Sequence, residues 1–281
     1  MVSLATVAPV GTLPVGEMVD VPGRGSTFVV DTGPTSSTAP PLLLLHSIAC
    51  TGMLTWYPHF DRLAAKGRVV VFDQRWHGRG FRTPSFTLED CADDAVALAD
   101  VLGIDRFIAV GYSMGSLVGQ LLWRRHPERV AGLVLCAAAA NFRLAPRERV
   151  SMDMISRAVD AFAPKAGSLP PDSAAPAKGD RAWAIGQFRQ TSPGAVGRAT
   201  AEVGKFDSTG WIADIDVPTA VVVTARDRVL PPSRQRWIAR QIRGAASYDV
   251  NCGHASCVLE ADEFSSGLMP ACASVISRAR L

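Results

Sequence analysis

The stretch that decides the fold reads Phe107-Ile108-Ala109-Val110-Gly111-Tyr112-Ser113-Met114-Gly115. Its leading apolar residues are typical of a buried strand, and an apolar pattern at helical spacing follows over residues 117–122. A strand that turns into a helix so quickly leaves almost no room for side chains, and Gly111 and Gly115 provide that room. We therefore expect Ser113 at the apex of the turn, with a strained backbone and its hydroxyl exposed above the sheet.

The residues beside Ser113 suit a nucleophile. The helix that begins at Met114 has free N–H groups and a positive dipole end there, which would stabilise an oxyanion. A chance Gly-x-Ser-x-Gly is the alternative interpretation. The apolar run before the turn and the helical pattern after it both favour the functional one.

Further apolar runs predict the rest of the sheet. They lie at residues 42–45, 69–72, 130–136, 218–224 and 246–250. Continuous apolar runs are typical of parallel strands buried on both faces, whereas the looser alternation from Gly16 to Asp31 predicts an antiparallel hairpin at a sheet edge. Helical patterns lie over about residues 53–65, 87–102, 232–242 and 262–280. We predict an α/β fold: a mostly parallel eight-stranded sheet with helices on both faces.

The alternation breaks from about Ala140 to Ser208. This part has no strand-like run, and helical patterns cover residues 147–163 and 181–189. Between them, residues 168–176 are rich in proline and serine, as in a linker. We predict a helical lid at 140–208, inserted into a core formed by residues 1–139 and 209–281.

Composition excludes several classes of function. The chain has 281 residues and a net charge of +3 with scattered arginines, so nucleic acid is not an expected partner. Its six cysteines form no CxxC pair and are expected to be free, buried thiols. The chain shows no signal-peptide pattern and no apolar run long enough to span a bilayer. We expect a cytoplasmic protein without an integral membrane segment; the sequence predicts no oligomeric state.

A serine nucleophile needs a histidine base, and that base needs a carboxylate to hold it. In folds of this type both follow the serine, acid first, each just past the C-terminal end of a strand. His254 occupies such a place after the last strand, whereas His126 lies at a helix end. Asp227 directly follows the strand at 218–224. The rival carboxylates are less well placed, before that strand or within one: Asp214, Asp216 and Asp249.

Together these motifs resemble those of α/β-hydrolase fold proteins over nearly the whole chain. The matching stretches are Gly111–Gly115, Asp73-Gln74-Arg75-Trp76-His77-Gly78-Arg79-Gly80, Ala225-Arg226-Asp227 and Gly253-His254. The resemblance implies an acyl-enzyme route in which Ser113 attacks a carbonyl, His254 shuttles the proton and water releases the acid. It also implies an oxyanion hole made by the N–H groups of Met114 and Ile48, with no cofactor and no metal.

Two positions depart from the pattern of that family. His46-Ser47-Ile48 stands where similar enzymes carry His-Gly, and Ser47 lacks the conformational freedom of glycine. One hypothesis is that Ser47 compensates by turning its hydroxyl into the pocket. Trp76 replaces another glycine and either lines the pocket or packs outward. We expect His46, Asp73 and Arg75 to be structural.

The leading hypothesis is a serine hydrolase that cleaves a carboxylic ester of a small to medium apolar substrate. Candidate pocket residues are Ser47, Tyr112, Trp76, Met154 and Trp183. Apolar residues of the predicted lid are equally expected to dock it on the core. A carbon–carbon bond hydrolase, a lactonase, a cofactor-free perhydrolase and an acyltransferase would use the same three side chains. A catalytically silent ligand-binding protein is the remaining alternative.

Overall fold

Eight strands form one sheet in the computed structural model, which describes residues 7–142 and 179–279. They are β1 (Glu17–Val21), β2 (Gly25–Asp31), β3 (Leu42–Leu45), β4 (Val69–Phe72), β5 (Phe107–Tyr112), β6 (Val130–Cys136), β7 (Thr219–Thr224) and β8 (Ala246–Val250). Their order along the sheet is β1-β2-β4-β3-β5-β6-β7-β8. The predicted eight-stranded α/β sheet is confirmed.

The strand directions follow the hydrophobic patterns of the sequence. Strands β3 to β8 pair in parallel, whereas β1 and β2 form an antiparallel hairpin and β2 runs antiparallel to β4. Every residue of β3, β4, β5, β6 and β7 is buried. The continuous apolar runs therefore form the central strands, which are covered on both faces, and the alternating run from Gly16 to Asp31 forms the antiparallel hairpin at one edge of the sheet.

Helices cover both faces of this sheet. They are α1 (Gly52–Trp56), α2 (Phe60–Ala64), α3 (Leu88–Val101), α4 (Met114–Arg125), α5 (Asp180–Arg189), α6 (Pro193–Lys205), α7 (Pro232–Gln241), α8 (Ser256–Leu259) and α9 (Ala261–Arg278). Leu98, Leu117 and Ile238 bring α3, α4 and α7 into one core layer. On the other face, a second layer joins α1, α2 and α9.

The prediction of a single helix over residues 53–65 is wrong. The structure has two short helices there, α1 and α2, separated by Tyr57-Pro58-His59. Pro58 explains the break, because proline has no N–H to donate and its ring clashes with the preceding helical turn. By contrast, the helix predicted after Thr87 is confirmed, and the Thr87 hydroxyl accepts a hydrogen bond from the Asp90 N–H (3.0 Å).

The structure describes residues 140–142 and 179–208 of the predicted lid. The helix expected over 181–189 is found as α5, and α6 follows it although the sequence did not predict it. Ser192 and Pro193 carried a signal for α6, because a serine N-cap followed by proline is a common helix start, and the Ser192 hydroxyl accepts from the Ala195 N–H. The helix predicted over 147–163 lies outside the described residues.

Two composition-based expectations can also be compared with the structure. All six cysteines are free and buried, as predicted. Across residues 7–142 and 179–279, no helix is long and apolar enough to cross a bilayer.

Candidate active site

The turn at Ser113 has the strained geometry that its sequence predicts. Ser113 adopts φ 53° and ψ −115° between β5 and α4, in a region that residues with a side chain rarely occupy. A Cβ atom at Gly115 would lie 2.1 Å from the Leu45 carbonyl oxygen, and one at Gly111 would lie 2.2 Å from the Gly115 oxygen. Both positions therefore require glycine.

A chain of hydrogen bonds links Ser113 to two distant side chains. The Ser113 Oγ atom lies 3.0 Å from His254 Nε2, and His254 Nδ1 lies 2.7 Å from Asp227 Oδ2. Because an ionised carboxylate only accepts hydrogen bonds, the imidazole proton belongs on Nδ1. Nε2 is then an acceptor for the Ser113 hydroxyl, which is the arrangement a general base requires.

The carboxylate of Asp227 is held on both oxygens. Its Oδ1 accepts from the N–H groups of Val229 and Leu230 (2.8 Å each), and its Oδ2 accepts from Thr224 Oγ1 (2.8 Å) and Gln235 Nε2 (3.3 Å). Burial alone would raise the pKa of Asp227. The hydrogen bond from His254, helped by those from Leu230 and Thr224, outweighs burial and lowers that pKa, so the side chain stays ionised.

The predicted oxyanion donors are the backbone N–H groups of Met114 and Ile48. Within the described part of the chain, neither Met114 N nor Ile48 N donates a hydrogen bond. Ser47 does not have a positive φ; the left-handed residue of this loop is Ala49, at φ 62°. The Ser47 hydroxyl has its acceptors within its own loop, Cys50 Sγ (3.2 Å) or the Ile48 carbonyl (3.4 Å).

His46 and Gln74 tie this loop to the loop that follows β4. His46 Nε2 accepts from the Gln74 N–H, its Nδ1 donates to the Ser47 carbonyl, and the Gln74 amide donates to the His46 carbonyl, each at 2.8 Å. Burial, reinforced by the nearby His77, lowers the pKa of His46 to about 3. A neutral His46 is structural, as predicted, whereas no pattern in the sequence singled out Gln74.

The loop at residues 73–80 is held by buried hydrogen bonds and an ion pair. Asp73 accepts from the N–H groups of Gly52 (2.7 Å) and Arg79 (2.8 Å), and Arg75 pairs with Asp94. Trp76 is buried: its ring contacts Phe86 and its indole N–H donates to the Thr83 carbonyl (2.9 Å). Trp76 thus packs inward, into the hydrophobic core, and not outward, and its backbone is left-handed with φ 63°.

The remaining predicted pocket residues are scattered. Tyr112 is buried, and its hydroxyl donates to the His254 backbone carbonyl (2.7 Å). Trp183, on α5, stacks edge to face on Tyr57 with ring centres 4.9 Å apart. Met154 lies outside the described residues. The structure therefore brings Ser113, His254 and Asp227 together, whereas the described pocket candidates are spread over separate elements.

These features can be compared with known proteins. A model of the alpha/beta hydrolase family matches residues 42–266. The chain belongs to this family. The alpha/beta hydrolase is 26% identical over 227 residues to a Rhizobium rhizogenes protein named "Putative carbamate hydrolase RutD", covering 76% of this chain and 86% of the relative. It is 29% identical to the pimeloyl-[acyl-carrier protein] methyl ester esterase of Aromatoleum aromaticum, covering 77% and 91%.

Solved structures agree with this assignment. The enol-lactonase from Burkholderia xenovorans LB400 superposes with a TM-score of 0.72 at 25% identity, covering 92% of this chain and 100% of the other. A hydrolase from Pseudomonas aeruginosa PA01 shares the fold, with a TM-score of 0.71 at 24% identity over 94% and 99%. Together the comparisons support hydrolase activity for this chain.

Proposed function

We propose that this alpha/beta hydrolase is a serine hydrolase that cleaves a carboxylic ester of a small to medium apolar substrate. The observation that supports it most directly is the hydrogen-bonded chain from Ser113 Oγ through His254 to Asp227. Family membership and the methyl ester esterase among its relatives support an ester as the substrate. The proposed route uses side chains and backbone groups alone, with no cofactor and no metal.

The reaction proceeds in two halves. Ser113 Oγ attacks the ester carbonyl while its proton passes to His254 Nε2, and the resulting oxyanion accepts hydrogen bonds from the Met114 and Ile48 N–H groups. The imidazolium then donates the proton to the departing alcohol, which leaves an acyl-serine. Water attacks that ester while His254 takes its proton, and the imidazolium then returns this proton to Ser113 Oγ as the acyl–oxygen bond breaks and the carboxylic acid leaves. Asp227 remains ionised throughout and stabilises the imidazolium.

A cyclic ester is the second candidate substrate, because the chain is similar to an enol-lactonase over 92% of its length. A lactone would follow the same steps, except that the alcohol produced stays attached to the acyl group. Acid release from linear esters and from lactones, followed at constant pH, separates the two candidates. Adding peroxide or a second alcohol in the same assay tests the perhydrolase and acyltransferase alternatives, and a vinylogous diketone tests carbon–carbon bond hydrolysis.

Replacement of the nucleophile tests the proposed function. We expect Ser113→Ala to lower kcat on p-nitrophenyl esters at least about 10⁴-fold, because no other group supplies the attacking oxygen. Labelling by a fluorophosphonate probe should disappear in the same variant. Ser266→Ala is the matched control, since that exposed hydroxyl only donates to the Glu263 carbonyl within its own helix (2.7 Å). Turnover and labelling that persist in a folded Ser113→Ala variant would refute the proposal.

A further inference from the structure

We propose that Tyr112 is a positioning residue for the reaction, acting through the backbone of His254. The inference rests on the proposed function, since it matters only if His254 is the base. The Tyr112 hydroxyl donates to the His254 carbonyl oxygen (2.7 Å) and lies 3.1 Å from Ser256 Oγ. Because the phenol hydrogen is donated to the His254 carbonyl, the Ser256 hydroxyl must be the donor in its bond with the phenol oxygen.

The hydroxyl of Tyr112 is fixed by its surroundings. The side chain is 1% exposed, and its ring packs edge to face on Trp56 and Phe264, with ring centres 6.4 Å and 5.1 Å away. Burial raises the pKa of Tyr112 well above its usual value, so the phenol stays protonated and keeps its role as a donor. A rigid ring with a permanent donor can hold a loop in one place.

The loop that carries His254 depends on this contact. On one side, the Gly253 N–H donates to Glu260 Oε2 (2.8 Å). On the other side, the Tyr112 hydroxyl is the only group within the described residues that donates to the His254 carbonyl. Backbone bonds hold the flanking residues: the Arg226 N–H donates to the Cys252 carbonyl (2.9 Å) and the Ser256 N–H donates to the Gly253 carbonyl (3.3 Å). Without the Tyr112 hydroxyl, the peptide of His254 itself loses its donor, and the imidazole can move relative to Ser113.

The position of Tyr112 in the chain makes the contact useful. Tyr112 directly precedes Ser113, so one short segment carries both the nucleophile and the group that locates the base. The imidazole must lie within hydrogen-bond reach of Ser113 Oγ, where it is found at 3.0 Å. A displacement of about 1 Å at such a site can lower a rate by about two orders of magnitude.

Tyr112→Phe removes the hydroxyl and keeps the ring. We expect kcat on a p-nitrophenyl ester to fall about tenfold while KM stays within about twofold, because the base moves and the substrate pocket does not. Tyr57→Phe is a matched control: the Tyr57 hydroxyl also donates to a backbone carbonyl, that of Ala8, at 2.7 Å. Tyr57 contacts none of Ser113, His254 and Asp227, so its variant should keep kcat within about twofold.

A double-mutant cycle separates positioning from a general loss of structure. In a His254→Ala background, Tyr112→Phe should cause no further fall in the residual rate, since its effect passes through the imidazole. An equal fall in both backgrounds, or a kcat like that of the starting protein, would overturn the inference. If Tyr112→Phe does not fold, Ser256→Ala, which removes the donor to the phenol oxygen, must lower kcat at constant KM.

The two proposals fail differently. Turnover that survives Ser113→Ala would contradict the proposed function itself. Full turnover in Tyr112→Phe, with none in Ser113→Ala, would leave that function intact and remove only the role of Tyr112.

Discussion

Replacing Asp227 by asparagine tests the electrostatic core of the proposed site. Asp227 Oδ1 accepts from two backbone N–H groups, those of Val229 and Leu230, so the amide oxygen of the new side chain should stay on that side. Its NH₂ group then takes the place of Oδ2 and faces His254 Nδ1. Because two donors cannot face each other, Nδ1 must become the acceptor and the imidazole proton must move to Nε2.

The expected loss of activity follows from the change of tautomer at His254. With a proton on Nε2, His254 presents a donor to the Ser113 hydroxyl and can no longer remove its proton. We expect kcat to fall about 10⁴-fold, which corresponds to about 5.5 kcal/mol of lost transition-state stabilisation. The fold should survive, because the substitution preserves the shape of the side chain and the two bonds to the Val229–Leu230 turn.

The assay is the initial rate of p-nitrophenyl ester hydrolysis at neutral pH, with the fold checked by circular dichroism. Asp249→Asn is the matched control, since Asp249 lies on β8 and pairs with Arg236 at the surface. We expect that variant to keep its activity. A folded Asp227→Asn variant that retains a tenth or more of the starting kcat would refute the assignment of Asp227 as the acid.

Two further predictions concern stability. Asp94→Ala leaves the buried guanidinium of Arg75 without its 2.7 Å partner and should lower the free energy of unfolding by about 3 kcal/mol, measured by urea denaturation. The control is Asp93→Ala, at a more exposed ion pair, which should lower it by about 1 kcal/mol or less. Equal losses in the two variants would contradict this reasoning. Burial lowers the pKa of His46 to about 3 and those of His59 and His77 to about 4, so below pH 6.5 the unfolded chain takes up protons that the folded chain does not. Stability should be full above that pH and fall by about 4 kcal/mol between pH 7.5 and 5.5; a flat profile would show that these histidines titrate normally.

The core of the fold could be predicted because its signals are local. Each central strand is a continuous apolar run, and the turn at Ser113 is marked by glycines that the backbone geometry requires. Chain order then gave His254 and Asp227, since the ends of parallel strands meet at one edge of the sheet. The structure brings all three side chains into hydrogen-bond contact.

The residues that support the site could not be found in this way. Tyr112 and His254 are 142 positions apart, and nothing near Tyr112 reveals which carbonyl its hydroxyl will meet. Gln235 lies in the helical pattern predicted over 232–242 with nothing to distinguish it, yet its side chain is buried and bonds to Thr224 and Asp227. The inward packing of Trp76 could not be foreseen either, because it depends on a loop conformation, with φ 63° at that residue, which the sequence pattern does not specify. Such contacts depend on tertiary packing, which local patterns do not encode.

The oxyanion loop shows why a departure from a family motif has to be judged by backbone geometry. A serine at position 47 would be costly only if that residue needed a positive φ, and in this chain the left-handed residue is Ala49 instead. The loop is held by His46 and Gln74 through bonds of 2.8 Å, so its shape does not depend on a glycine. Since the Ile48 N–H is left without an acceptor among the described residues, Ser47 is compatible with the proposed oxyanion hole.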